Sequence, residues 1–514
     1  MSTNFTTKFA NSILSVLGCH DRVIFKGYLP FGGDGHLNNW VDRVLKLRRK
    51  DFLPFVEKQS QTLVDHAKAQ ANQAGVSFQV LQGKSNKDAL VRNLLSQSPR
   101  DEGLITVLQV METCRTVKLM HGQGRPRLAF ARRPQRVLYY YFLDAQFGLM
   151  YVRLQTWFPF TIQVYVNGHD WLARQMKQKQ LGFVQSDNAF TQLDNPAAAQ
   201  RLADAFPKLP WVKTLNRWAR LVNPLLDDSW LDKTDYYWVI DQAEYSTDVL
   251  FQSQSKLAEL YPQLVDHALL KFSAQDILTF LGRRLHANFD GEVITDCKKD
   301  RLPGTRIKHR MKNNWLKMYD KFGQILRIET VINQPREFRV RRRCLRKGRQ
   351  QMAWCPMNKG VANFYHYLAV ARAANSRYLN ALSVVDGPCA TARQLDRVCK
   401  PAKFHQRRRR GLNLLHAEEQ RLFHAILRGD WRLHGFRNRD VASKLHGSKT
   451  VTPEERRRRS LRVCRQLQLL RAHGLIAKIP HSNRYKVTDK GDALMTTAIS
   501  LHAKHFPECL EPVA

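Results

Sequence analysis

At 514 residues the chain is too long for a single hydrophobic core and calls for several domains. A hydrophobic content of 43%, with 26 Phe, 15 Tyr and 10 Trp, excludes a disordered polymer. Its 83 Lys+Arg against 44 Asp+Glu leave a net charge of +39, a field that attracts polyanions and makes their binding depend on salt. Nine cysteines are scattered without a CxxC or knuckle spacing, which excludes a zinc ribbon and suits free thiols in a reducing cytosol. The first 22 residues lack a basic n-region and a small-residue cleavage site. No run approaches the apolar length of a membrane span. The expectation is therefore a cytoplasmic, nucleoid-associated protein with no membrane partner.

In chain order, Asp21–Tyr28 reads as a strand and Gly32-Gly33-Asp34-Gly35 as a turn. Lys50–Ala74 reads as a long amphipathic helix, and Leu104–Val110 as a buried strand. Arg136–Leu143, Leu149–Phe158 and Phe160–Val166 form an antiparallel sheet, the first two joined by a hairpin at Asp144–Gly148. Its aromatics, flanked by Arg153 and Arg174, are either a sheet core or a surface that stacks on unpaired bases. Asn167-Gly168 turns into a helix, and Leu202–Leu226 is helical with breaks at Pro207 and Pro210. Tyr236–Ile240 is a strand ending at Asp241. Ser273–Asp276 starts a helix that runs through His286. Strands follow near Gly291–Asp296, Gly304–Met311, Trp315–Tyr319 and Ile325–Ile332.

Residues 341–350 read as a basic linker or arm whose Arg341, Arg342 and Arg343 are expected to contact nucleic acid, Val361–Leu382 as a helix, and Lys400–Arg410 as a second basic linker. Asn438-Arg439-Asp440 opens a short helix. Thr452-Pro453-Glu454-Glu455 opens a longer one, with Thr452 as cap and Glu455 completing a capping box, which runs to Gly474. Two short strands, Leu475–Ile479 and Tyr485–Val487, close the pattern. The fold class is α+β and multidomain, with mixed and antiparallel sheets. The expected division is 1–130, 131–350 (nuclease-like core), 351–410 (helix and basic linker) and 411–514 (nucleic-acid-binding lobe).

The segments Gln468–Ile476 and Arg484–Gly491 resemble a winged-helix domain of the MarR/ArsR type over about a fifth of the chain. The resemblance implies that Arg456, Arg457, Arg458, Arg459, Arg462 and Arg465 face a duplex, with Arg484 and Lys486 beside its backbone. Lys317-Met318-Tyr319-Asp320-Lys321 with Leu326-Arg327-Ile328-Glu329 resembles rolling-circle replication initiators of the Rep_trans type over about thirty residues. That likeness implies Tyr319 as a nucleophile on phosphorus and Glu329 as a metal ligand. Lys308, Arg310 and Lys317, in the dense basic cluster around that tyrosine, are expected on the nucleic acid. The family's His-hydrophobe-His metal strand is missing here.

A second candidate is Asp241, a carboxylate at the end of an apolar strand, where ribonuclease-H-like nucleases place a first metal ligand. Asp241, Asp296 and Glu329 would then converge on Mg2+ or Mn2+. Asp241 and Glu244 equally suit the cap and first turn of a helix. The sequence thus points to a nucleic-acid-binding protein of mobile-element or plasmid type, with an expected metal-dependent DNA endonuclease activity of replication-initiator-like or transposase-like kind directed by the winged helix. The alternative is a non-catalytic DNA- or RNA-binding regulator or ribonucleoprotein component.

Overall fold

The structure, a computed structural model, describes residues 4–30, 36–83, 85–121, 126–227, 230–231, 234–283, 291–301, 304–346, 348–383, 385, 392–404, 407–427, 431, 435–447, 452–480 and 482–505. The turn expected at Gly32–Gly35 and the helix end expected at His286 lie outside these residues; the helix begun by the Ser273–Asp276 capping box is described over Ala274–Phe280. The fold is α+β and falls into two compact units, neither continuous in sequence. One comprises 15–248 and 329–372, and the other 1–14, 249–328 and 373–514.

In chain order the strands are β1 (Ile13–Tyr28), β2 (Phe78–Val80), β3 (Gly103–Met120), β4 (Arg127–Asp144), β5 (Gly148–Gln155), β6 (Ile162–Asn167), β7 (Phe183–Ser186), β8 (Ala189–Leu193) and β9 (Tyr237–Phe251). Then come β10 (Val293–Arg301), β11 (Gly304–Met311), β12 (Asn314–Lys321) and β13 (Ile325–Ile332). The division into units falls within β1, β9 and β13.

In the unit containing 15–248, the strand order is β13-β9-β1-β6-β5-β4-β3-β2. β3 and β4 are 18 residues each and pair along their whole length, far beyond the apolar run legible in Leu104–Val110. Alternation along β1, β6, β5 and β4 sends Phe25, Val164, Val152 and Tyr140 to a core that also holds Trp211 and Phe147. The same alternation leaves Arg22, Lys26, Tyr165, Tyr151, Arg153, Tyr139 and Tyr141 together on the opposite face. A two-stranded hairpin, β14 (Arg339–Arg346) with β15 (Arg349–Pro356), completes this unit. It replaces the linker expected at 341–350: an uninterrupted antiparallel register of eight residue pairs orders the arginines.

In the other unit, β10-β11-β12 form an antiparallel meander next to the start of β13. Its C-terminal lobe has its own core of Phe423, Ile426, Phe436, Val441, Val463, Leu467, Leu470, Leu475 and Met495. Helices Asn438–His446 and Pro453–Ala472 and the hairpin of β18 (Ile476–Lys478) and β19 (Tyr485–Val487) stand where the sequence puts them. A further pair, β16 (Ala402–Phe404) and β17 (Arg407–Arg409), occupies the second expected basic linker. Arg409 donates to Gln468, Arg410 to Glu419, and Arg471 lies 5.0 Å from the Phe404 ring, so this arginine run is stitched onto the lobe. No helix among the described residues is long and apolar enough to cross a membrane.

A candidate metal centre on three neighbouring strands

Three acids converge where β13, β9 and β1 lie side by side. Asp21 of β1, Glu244 of β9 and Glu329 of β13 each offer a carboxylate oxygen within 4.8 Å of the other two. Asp21 is 5% exposed and Glu329 2%, so two of the three charges are out of water. Two oxygens of one octahedral shell at Mg2+ distances lie about 3 Å apart when adjacent and about 4.2 Å when opposite. The cluster therefore needs only a slight contraction to serve a hard divalent cation, and an all-carboxylate donor set is the chemistry such a cation takes.

The residues around it hold the acids in place. Asn167 donates from Nδ2 to Asp21 Oδ1 at 3.1 Å while its Oδ1 accepts from the His169 and Asp170 amides, capping helix Gly168–Gln178. Asn188 donates to the other Asp21 oxygen. The Asn-Gly pair legible as a turn is thus a helix cap that doubles as a clamp on the acid. Gly168 is required there, because a Cβ would meet the His20 carbonyl oxygen at 2.2 Å. Gln242 donates to Glu244 Oε1 at 2.9 Å.

Two buried histidines flank the cluster. His20 sits against the Glu244 carbonyl at 3.3 Å, and burial drops its pKa to about 3, so it is neutral. His169, fully buried, has Nδ1 3.7 Å from Asp21 Oδ1, and among the described residues that nitrogen has no hydrogen-bond partner. Arg22 lies beside the acids. Burial opposes its charge, but Glu244, Tyr165, Tyr151 and Asp21 outweigh that and hold the guanidinium above its usual pKa.

Arg22 also faces the Tyr165 ring at 5.6 Å and so links the acids to the polar sheet face. On that face a groove of about 910 Å3 is lined by Lys26, Tyr28, Arg115, Arg132, Tyr139 and Arg153, among others. Glu112 anchors its wall. Burial would raise this carboxyl, but Arg153 beside it and hydrogen bonds from Arg153 and Tyr139 hold it below its usual value.

Of the candidates read from the sequence, Glu329 joins the cluster and the other acids do not. Asp241 lies within β9 rather than at its end, since the strand continues to Phe251, and its carboxylate is 3.7 Å from Lys359 Nζ. The reading of Asp241 and Glu244 as a helix cap and first turn fails for the same reason: both are strand residues. Asp296 belongs to β10 of the other unit, opposite Lys308. Tyr319 is in that unit too, on β12 opposite Arg306, and alternation places it beside Lys317 on the half-buried face, with Leu316 and Met318 on the buried one. Lys308, 3.7 Å from the Trp315 ring, has its pKa lowered by burial and by Lys317, Arg306 and Arg310. Arg310, opposite Trp315, belongs to the same basic surface.

In the C-terminal lobe, Arg456, Arg457, Arg458, Arg462 and Arg465 are exposed along one helix. Arg459 differs, because it is held by Glu455 at 2.9 Å. Thr452 caps the helix as expected, accepting from the Glu455 amide, while the Glu455 carboxylate goes to Arg459. Arg484 donates to the Gly435 carbonyl, and Lys486 is half-buried on β19.

Asp21 and Glu244 went unselected by the sequence reading. The signal was there: each, like Glu329, is an acid inside an otherwise strand-forming run, such as Cys19-His20-Asp21-Arg22-Val23-Ile24. Comparison with family models, with curated proteins and with solved structures finds no match to this chain.

Proposed function

We propose that this chain is a metal-dependent enzyme of nucleic-acid phosphodiester chemistry, with Asp21, Glu244 and Glu329 holding Mg2+ or Mn2+ and the C-terminal lobe acting as a winged-helix reader. The observation that carries the reading is the convergence of three carboxylates, two of them buried, in a chain with a net charge of +39. Clustered acids in so basic a protein serve a cation more readily than a cationic substrate. When bound, the cation supplies polarisation of a phosphoryl oxygen and activation of water. Arg22 and the lysine- and arginine-lined groove beside it hold a phosphate backbone against the centre, while half-buried Tyr28 on the groove wall offers its ring to bases. Asn167 and Asn188 fix Asp21 in the orientation that points its oxygens at the shared position.

The test is cleavage of supercoiled and single-stranded DNA by the full chain with Mn2+. Asp21→Asn, Glu244→Gln and Glu329→Gln are each expected to abolish cleavage while DNA binding in EDTA persists. Tyr319→Phe is expected to retain it, because an acid-bound cation activates water without a protein nucleophile. Cleavage that survives all three carboxamide variants would refute the centre. Loss in Tyr319→Phe, with a covalent protein–DNA adduct in the wild type, would transfer the chemistry to the tyrosine. Tight binding of DNA or RNA with no cleavage under any metal would make the protein a binder.

A further inference from the structure

The hairpin β14–β15 is not absorbed by the metal centre. Its base is anchored: Val340 and Cys355 are buried, and Phe338 accepts from the Met357 amide beside it. Beyond that base it pairs with no other strand among the described residues. Six residues of each strand beyond the base reach about 20 Å at 3.3–3.4 Å per residue.

The two faces of this ribbon differ. The register sets Arg341 opposite Trp354, Arg343 opposite Met352, and Leu345 opposite Gln350. Alternation therefore puts Arg339, Arg341, Arg343, Leu345, Met352 and Trp354 on one face. Leu345 is 70% exposed, Trp354 61% and Met352 51%. A two-stranded ribbon with no backing sheet is marginal in water, and three large apolar groups held in solvent add no stability to it. Their presence between arginines calls for an anionic occupant that also offers apolar surface. A second copy of the ribbon is opposed by its own like charge.

Duplex DNA meets both demands, with phosphates at the groove rim and base edges, thymine methyls and sugars inside. The B-form major groove, about 12 Å wide, admits a two-stranded ribbon, whereas the major groove of A-form RNA is too narrow for side chains to read. We propose that ribbon 339–356 docks in a groove of duplex DNA, with Arg341 and Arg343 on phosphates and Leu345, Met352 and Trp354 against the groove floor. This rests on the nucleic-acid part of the proposed function and assigns its substrate as duplex DNA on the unit that holds the acids.

The test uses the full chain in EDTA, so that it stands apart from the metal centre, with a 30-base-pair DNA, the same duplex as RNA, and a salt series read by anisotropy. Arg341→Ala/Arg343→Ala should weaken DNA binding and reduce the slope of log K against log salt by about 1.8, two phosphates at about 0.9 each. Leu345→Ala/Trp354→Ser should weaken it about 10-fold or more with the slope unchanged. In the wild type, peroxide oxidation of Met352, read by mass spectrometry, should be suppressed by duplex DNA and not by duplex RNA. Wild-type affinity and slope in both double variants would overturn the proposal, as would unprotected Met352 in the DNA complex or equal protection by the RNA. Loss of Mn2+-dependent cleavage in the carboxylate variants leaves these results unaffected, so the two readings fail separately.

Discussion

Removing one charge from the acid cluster should change stability in opposite ways with and without a divalent cation. Carboxylate oxygens within 4.8 Å repel by about 3 kcal/mol per pair at an effective dielectric near 20. Glu329→Gln keeps the shape of the side chain and removes two of the three repulsions. Part of that gain is already offset in the wild type, since Asn167, Asn188 and Gln242 donate to the neighbouring acids and Arg22 lies close by. A net stabilisation of about 1–3 kcal/mol is expected in EDTA, or a Tm rise of several degrees at about 2–4 °C per kcal/mol. Mn2+ at 100 times its Kd should stabilise the wild type by about 2.7 kcal/mol and leave Glu329→Gln almost unmoved. Differential scanning fluorimetry across an Mn2+ titration reads both effects, with Ca2+ and Na+ as controls for general screening. A wild type indifferent to Mn2+, together with a Glu329→Gln variant less stable in EDTA, would show that Glu329 is a partner in a structural ion pair and that the cluster holds no metal.

Arg456→Ala/Arg457→Ala/Arg458→Ala should lower duplex affinity and reduce the salt slope by up to about 2.7, three phosphates at about 0.9 each; an unchanged slope would place the lobe's interface elsewhere. Acid should unfold the protein early. Burial lowers the pKa of both His20 and His309 to about 3, against about 6.5 when unfolded, so the native state binds fewer protons and stability falls as pH drops below 6.5. Each histidine should remove about 2 kcal/mol by pH 5, and thermal melts with no slope between pH 7 and pH 5 would contradict this. Gly168→Ala should lower Tm and weaken Mn2+ binding together, because the added carbon strikes the His20 carbonyl beside the Asn167 cap. Loss of stability with full Mn2+ affinity would uncouple the cap from the acid.

Local signals carried much of the fold. Thr452 and Gly474 marked the ends of the lobe's longer helix because caps and left-handed glycines act within a turn of chain. Charge misled where pairing decided: Arg341–Arg343 and Arg407–Arg409 looked like solvated linkers and are strands, since a ladder of backbone hydrogen bonds is indifferent to arginine side chains pointing away from it. The candidate centre was legible only as single residues. Asp21 and Glu329 are 308 positions apart, and what joins them is the neighbour order of β1, β9 and β13, which strand periodicity does not encode. Asp241 attracted attention because Tyr237–Ile240 looks like a complete strand, whereas Gln242–Phe251 continues it with polar residues interleaved.

The discontinuity of the unit containing 1–14, 249–328 and 373–514 bears on how the chain is made. Phe5 donates its amide to Asn380 across 375 residues, and Lys8 reaches the carbonyls of Ser383 and Val385. At about 5–20 residues per second, Phe5 and Lys8 wait about 20–75 s after their own synthesis before these partners exist. Through that interval Phe5 and Phe9, both buried in the finished protein, have no native site to occupy. The segment around Phe5 and Phe9 therefore gains from chaperone cover during synthesis, and slowing translation between it and codon 373 should lower the soluble yield more than slowing it afterwards.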